Sequence, residues 1–299
     1  MSWEPMSVDE LAAYQQACGV RAVKIGDTWW IEPRPFFFRT LFPLAELDPG
    51  FSRYPLQHLV GGVLHLVPDG TPANSQMKLF LYDRLDEYAP ETLPAKQKWV
   101  IKKSTENFRA ERITDLHRFV ETAFPIYQSF YQRTQYSYKK ERSELAAFAA
   151  WSQTLFRHPK ILILGAYHGD RLAAVDISYQ VRNLIIDDVF FSDTESQGMR
   201  VTDFVVHTLR ELAAGSGAQY LFRGFPCGKQ SLDESKLRRG CKIFTIPAHC
   251  RVNPVALYVG KLFMNESYRK LMTITAASYL DGHETSELPR QDRTEALDE

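Results

Sequence analysis

Between Lys160 and Phe244 the spacing of apolar positions changes several times, and each change marks an element. Ile161 to Tyr167 is an unbroken apolar run of strand length, and His168-Gly169-Asp170 behind it suits a hairpin connection. Arg171 to Gln180 sets Ala173, Val175, Ile177 and Tyr179 on one face, the period of two that a half-buried strand shows. Leu184 to Phe191 is denser in apolar residues and predicts a central strand. The period then turns helical. Val201, Phe204, Val205, Thr208, Leu209 and Leu212 share one face of a single long helix behind Thr194-Glu195-Ser196-Gln197, which has the form of a capping box. Gly215 and Gly217 stop that helix. Tyr220 to Phe225 returns as a strand, which the right-handed crossover rule sets parallel to the third.

The flanks read as follows. Ser7-Val8-Asp9-Glu10 is a capping box opening a short helix to about Ala17, and Val20 to Ile25, a Gly26-Asp27 turn and Thr28 to Glu32 form a hairpin. Phe36-Phe37-Phe38, bracketed by prolines, cannot all face one side of a strand. They are expected to wedge between this lobe and the next, or to wall a substrate pocket. Leu59 to Val67 and Met77 to Tyr82 predict strands around a Pro68-Asp69-Gly70-Thr71-Pro72 turn. Asp86 to Lys98 is polar and proline-containing, so a lobe boundary is set there, with residues 1–96 on one side. Trp99 to Lys103 then predicts a strand. Ile113 to Tyr131 predicts a helix interrupted near Pro125, and Lys139 to Phe156 a second. Asn253-Pro254 opens a last helix by the preference for proline at the first helical position, reaching about Met272. The charged tail from about Asp281, 281–299, is expected to be disordered, which leaves 97–280 as the main domain.

Composition narrows the class. With 44% apolar and 13% aromatic residues in 299, the chain can build a real core. Lysines plus arginines equal aspartates plus glutamates at 36 each, which argues against a general nucleic-acid coat. Four cysteines in this length make no disulfide scaffold. Met1-Ser2-Trp3-Glu4-Pro5 does not open a signal peptide, and no apolar run reaches the ~20 residues of a membrane helix. A cytoplasmic location is expected.

Three antiparallel strands feeding a helix and a parallel strand resemble the GNAT-like acyltransferase fold. The segment Leu232 to Cys241, after Phe222-Arg223-Gly224, resembles the ending of the FemABX and BioF2-like branch, where a lysine-bearing short helix precedes a glycine and the last strand. The resemblance covers roughly residues 97–272, and lies in pattern more than in identical residues. It implies an α/β (α+β) fold with a mixed, mostly antiparallel sheet flanked by helices and a smaller, partial N-terminal GNAT-like lobe. It also implies transfer of an acyl or aminoacyl group from acyl-CoA or aminoacyl-tRNA to an amine-bearing small molecule or peptide.

In GNAT proteins the loop entering the long helix cradles the donor's pyrophosphate, because helix-terminal amides and the dipole attract anions. Here that loop is Ser192 to Arg200, in which Gln197, Gly198 and Arg200 are the candidate contacts. It departs from the family's Q/R-x-x-G-x-G/A pattern in offering one glycine, and Asp193 and Glu195 place negative charge beside it.

A carboxylate on the central strand suits the general base that an attacking ammonium needs. Asp187 and Asp188 are the candidates. Strand phase sets Asp188 with Ile186 and Phe190, an apolar setting that raises a carboxylate pKa. The alternative is two ordinary carboxylates at a sheet end. Tyr179 is a candidate general acid, against the commoner role of packing. Lys236 matches the branch's lysine, which contacts a substrate phosphate or carboxylate, and Arg239 thickens that positive charge. The alternative for Lys236 is a surface lysine pairing with Asp233 or Glu234.

Cys227, Cys241, His249 and Cys250 crowd in sequence but lack paired-ligand spacing, so buried thiols are expected rather than a metal. Two functions stay open: an N-acyl or N-aminoacyl transferase, and a catalytically degenerate GNAT-like module that binds an anionic ligand or a protein.

Overall fold

A computed structural model of the chain describes residues 1–134, 140–276 and 285–286. From the N-terminus the elements are α1 (Val8–Ala17), β1 (Ala22–Ile25), β2 (Thr28–Arg34), β3 (Phe37–Thr40), β4 (Gly62–Leu66), β5 (Ser75–Tyr82), α2 (Ala95–Asn107) and β6 (Arg109–Arg112). Next come α3 (Leu116–Thr134), α4 (Leu145–Phe156), β7 (Leu162–His168), β8 (Arg171–Val181), β9 (Leu184–Ser192), α5 (Thr194–Gly198) and α6 (Val201–Ala214). The chain continues with β10 (Tyr220–Phe222), α7 (Gln230–Arg238), β11 (Lys242–Val252), α8 (Pro254–Phe263), α9 (Asn265–Ala276) and β12 (Thr285–Ser286).

These elements fall into two compact units, each discontinuous in sequence: Met1–Met6 with Tyr82–Phe222, and Ser7–Leu81 with Arg223–Glu299. Each holds a mixed, mostly antiparallel sheet with helices. The boundary expected at residues 96 and 97 falls inside α2 instead, and the segment after Phe222 joins the unit formed by the N-terminal residues.

In the first unit the strands run β6-β7-β8-β9-β10, antiparallel up to β9, with β10 parallel to it as the crossover rule requires. The first six residues dock on this sheet: the Met6 amide donates to Gln180 O at 2.8 Å and the Trp3 indole to Ser178 Oγ at 3.3 Å. Its core is aromatic. Phe119, Tyr127, Phe148, Trp151 and Phe191 join α3 and α4 to β9, with Tyr127 edge-on to Phe191 at 5.2 Å.

Three expectations are corrected in this unit. Trp99 to Lys103 is helix, part of α2, because Pro94 is followed by good helix formers and the short apolar run is one face of a turn. Helix α3 continues through Pro125 instead of breaking there. The single long helix is two, α5 and α6. Asp193, not Thr194, caps α5 by accepting from the Ser196 amide at 2.7 Å, and Arg200 at φ 68 separates α5 from α6.

In the second unit the order is β1-β2-β3-β4-β11-β5, with β12 beside β11. The Ser7 capping box is present in both directions and the β1–β2 hairpin forms. The three phenylalanines separate by backbone conformation. Phe38 is buried in this unit's own core against Trp30 and Val63, whereas Phe36 adopts φ 62 and is 43% exposed. Of the tail read as disordered, Thr285–Ser286 pairs with β11 in parallel, and the rest of 281–299 lies outside the described residues.

Candidate functional site

Strand β9 outruns its short parallel neighbour. Its register with β10 runs from Leu184 opposite Tyr220 to Ile186 opposite Phe222 and ends there. On its other edge, Val189 pairs with Ile177 and Asp187 with Ser178, so Asp188 is an extra residue, a β-bulge. The bulge shifts the strand's phase, and Asp188 is exposed instead of lying among apolar side chains. The apolar setting expected for it is absent. Asp187 is half-buried with Oδ2 shielded from solvent. Tyr179 sits opposite Ile186 and is 2% exposed, a packing position. These three residues share one stretch of the β8–β9 ladder.

At the end of β9 the loop Ser192 to Arg200 is held by its own side chains. Gln197 Nε2 donates to Ser192 Oγ and, at 3.4 Å, to Thr202 Oγ1. The two acidic residues of the loop are already countered: Arg171 pairs with Asp193 and, at 3.2 Å, with Glu195. Arg133 donates to Thr194 Oγ1 at 3.0 Å and to Ser192 O at 3.1 Å, and desolvation lowers its pKa against the pull of Asp193. Neither arginine was expected here, because both come from distant elements. Arg200 does not complete the loop; its guanidinium lies 5.0 Å above the ring of Trp99. A Cβ on Gly198 would meet nothing within 4 Å, so this glycine serves no close backbone approach in the chain itself.

Lys236 and Arg239 lie in the second unit. The turn after β10 carries Gly224 at φ 91 and Gly228 at φ 76, both left-handed, and folds over the start of α7. Asp233, fully buried, accepts from the Cys227 amide at 3.1 Å and from its thiol at 3.3 Å. Lys236 is no surface lysine. Its Nζ lies 3.8 Å from Asp233 Oδ1 and 4.5 Å from the Phe80 ring centre, and burial lowers its pKa while Asp233 works the other way. Arg239 turns back on its own helix, donating to Ser235 O at 3.0 Å and to Ser235 Oγ.

Two polar clusters carried no motif. In the first unit Tyr88 Oη is 2.8 Å from His207 Nδ1, and His207 Nε2 is 3.3 Å from Glu211. Burial pushes the Tyr88 phenol up to about 12 and lowers His207. In the second unit His65 is fully buried between Tyr54 Oη at 3.1 Å and Leu66 O at 2.7 Å, and burial lowers its pKa to about 4. Among the described residues the four cysteines make no disulfide, no group of three or more His, Cys, Asp or Glu is placed to hold a metal, and no helix is long and apolar enough to cross a membrane.

No family model matches the chain by sequence, and no curated protein does. Solved structures do match by shape. The C-terminal domain (DUF2156) assigned to a lysylphosphatidylglycerol synthetase of Agrobacterium fabrum superposes with a TM-score of 0.58 at 8% identity, over 90% of this chain and 96% of that one. FemX gives 0.55 at 8% identity, over 85% and 93%. The fold is GNAT-like, of FemABX-like type. The L-PGS structure from Bacillus licheniformis agrees, with a TM-score of 0.54 at 10% identity over 90% of this chain and 98% of that one.

Proposed function

We propose that this protein transfers an aminoacyl group from an aminoacyl-tRNA donor to an amine by direct attack. The observation that carries the reading is the end of the β9–β10 pairing at Ile186 together with the bulge at Asp188. A backbone amide released from the ladder there donates to the donor's carbonyl oxygen and stabilises the oxyanion as it forms. The acceptor nitrogen forms a bond to the carbonyl carbon, Asp187 or Asp188 takes the proton it sheds, and the ribose oxygen leaves with the electron pair and is protonated. Positioning supplies most of the remaining rate, since no covalent intermediate with the protein is required.

The tRNA donor is favoured over acyl-CoA by the Ser192–Arg200 loop. It carries one glycine, spends Gln197 on Ser192, and has Asp193 and Glu195 engaged by Arg171. One of the structures that share the fold is assigned to a lysylphosphatidylglycerol synthetase and another is named L-PGS, which fits an aminoacyl donor better than a thioester. By resemblance, Lys236 is the cation for a substrate phosphate or carboxylate.

The reading is tested by thermal shift with acetyl-coenzyme A beside filter binding of aminoacylated and uncharged tRNA. A ligand at about a hundred times its Kd stabilises a protein by roughly 2.7 kcal/mol. Preferential retention of charged tRNA with no shift from acetyl-coenzyme A supports it. A saturable shift with acetyl-coenzyme A alone moves the assignment to a thioester donor. The second reading, a non-catalytic binding module, is favoured by the engagement of Lys236 with Asp233, and binding without turnover would establish it.

A further inference from the structure

The second unit carries an apolar surface that its own core does not use. Helix α8 is amphipathic in the wrong sense for a packed helix: Val255, Tyr258, Val259 and Leu262, at the spacing of one helical stripe, are 71%, 65%, 44% and 55% exposed, and none of its residues is buried. Phe263 at its end is 80% exposed. The start of α8 is tied to the segment before β4. Asn253, which caps α8, donates its side-chain amide to Leu59 O at 2.9 Å and its backbone amide to Gly61 O at 2.8 Å. Leu59 is 54% exposed, and Leu56 and Phe51 nearby in that segment are 80% and 89% exposed. Exposed large apolar side chains gathered in this way mark an interaction site.

We infer that this face, α8 with the Phe51–Val60 segment, docks on an anionic lipid surface. Charge selects the occupant. The stretches 48–67 and 251–270 contain Arg53, Arg251, Lys261, Arg269 and Lys270 against Asp48 and Glu266, an excess of cations in a chain whose net charge is zero. An apolar stripe with an excess of cations is the makeup of an interfacial helix that sinks its hydrophobic face to the headgroup boundary. Tyr258 adds an amphipathic ring suited to that depth. A second copy is disfavoured because an isologous contact would bring the excess cations of each face together. This inference stands apart from the transfer reading and survives its failure.

The test is sedimentation of the full chain with vesicles of phosphatidylcholine alone and of phosphatidylcholine with about a third phosphatidylglycerol. The protein is expected to pellet with the anionic vesicles and to release as salt approaches about 0.5 M. The double variant Leu262→Glu, Phe263→Glu is expected to lose at least about tenfold in partitioning with an unchanged melting temperature. Phe263→Trp reports the docking directly, by a blue shift in emission on adding anionic vesicles. The inference is overturned if the parent chain does not sediment, if it binds both vesicle types equally, or if the double variant binds as well as the parent. It is also overturned if light scattering shows a dimer that the double variant abolishes while neither protein binds vesicles.

Discussion

The ammonium of Lys236 lies 3.8 Å from Oδ1 of Asp233, on a carboxylate that is itself fully buried and also receives the Cys227 amide and thiol. One carboxylate therefore ties the turn after β10 to α7. Replacing it leaves a half-buried ammonium and an amide without their acceptor, so Asp233→Ala is expected to cost about 3 kcal/mol, read as a fall in the denaturant midpoint. Lys236→Met keeps the packing on Phe80 and is expected to cost much less.

The same pair sets a pH dependence. Burial lowers the folded-state pKa of Lys236 below the free-lysine value, so between the two values the unfolded chain binds more protons than the folded one. This lysine's contribution therefore makes stability rise with pH up to the free value of about 10.4 and leaves the folded state poorer below the folded pKa. Denaturation curves of the parent and Lys236→Met across that alkaline range should converge as pH rises. Divergence instead would mean that the ammonium is better stabilised folded than unfolded.

His65 governs the acid side. Its Nδ1–H donates to Leu66 O and its Nε2 accepts from Tyr54, so both nitrogens are used in the neutral form, and protonation puts a charge in a buried site. With a folded pKa of about 4 against an unfolded value near 6.5, the unfolded state takes up the proton first. Stability is expected to fall as pH drops from about 6.5 to 4, by up to about 3 kcal/mol from this residue. His65→Gln should flatten that slope in urea titrations.

Gly61 is fixed by contact. A Cβ there would sit 2.2 Å from the carbonyl oxygen of Phe36 and 2.5 Å from its carbonyl carbon, backbone that cannot step aside. Gly61→Ala is expected to cost about 3 kcal/mol, whereas Gly70→Ala, at φ 81 with nothing within 4 Å, should lose only the smaller penalty of its left-handed backbone. Thermal melts of the two variants decide it.

Much of the first unit was legible in the chain because its signals are local. The period of two in Arg171 to Gln180 and the crossover rule together place β8, β9 and β10 correctly. What was not legible is non-local or depends on a single inserted residue. Nothing in Leu184 to Ser192 announces that Asp188 bulges, and that one residue undoes the phase argument that set it among apolar neighbours. Arg171 and Arg133 reach the Ser192–Arg200 loop from elements far away in sequence, so the acidic residues looked unopposed. Trp99-Val100-Ile101 is too short a run for its period to tell strand from helix. The pairing of residues 1–6 with the strands after Tyr82 is a matter of tertiary contact alone.

The two carboxylates at the bulge give the mechanism its sharpest genetic test. If one of them accepts the amine's proton, either Asp187→Asn or Asp188→Asn should lower turnover by about a hundredfold to ten-thousandfold while leaving tRNA retention intact. Asp188 is exposed, so its replacement should shift stability by no more than about 0.5 kcal/mol. Equal, full activity in both variants removes them from the mechanism.

The most direct test of aminoacyl transfer needs no knowledge of the natural acceptor. A pool of radiolabelled aminoacyl-tRNA is mixed with the protein and dilute hydroxylamine as a surrogate nucleophile, and hydroxamate formation above the uncatalysed rate is measured, with acetyl-coenzyme A in a parallel reaction. Protein-dependent hydroxamate from the tRNA ester, lost in one of the bulge variants, is the predicted result. No acceleration with either donor, at protein concentrations where charged tRNA is bound, would contradict transfer and leave a binding module.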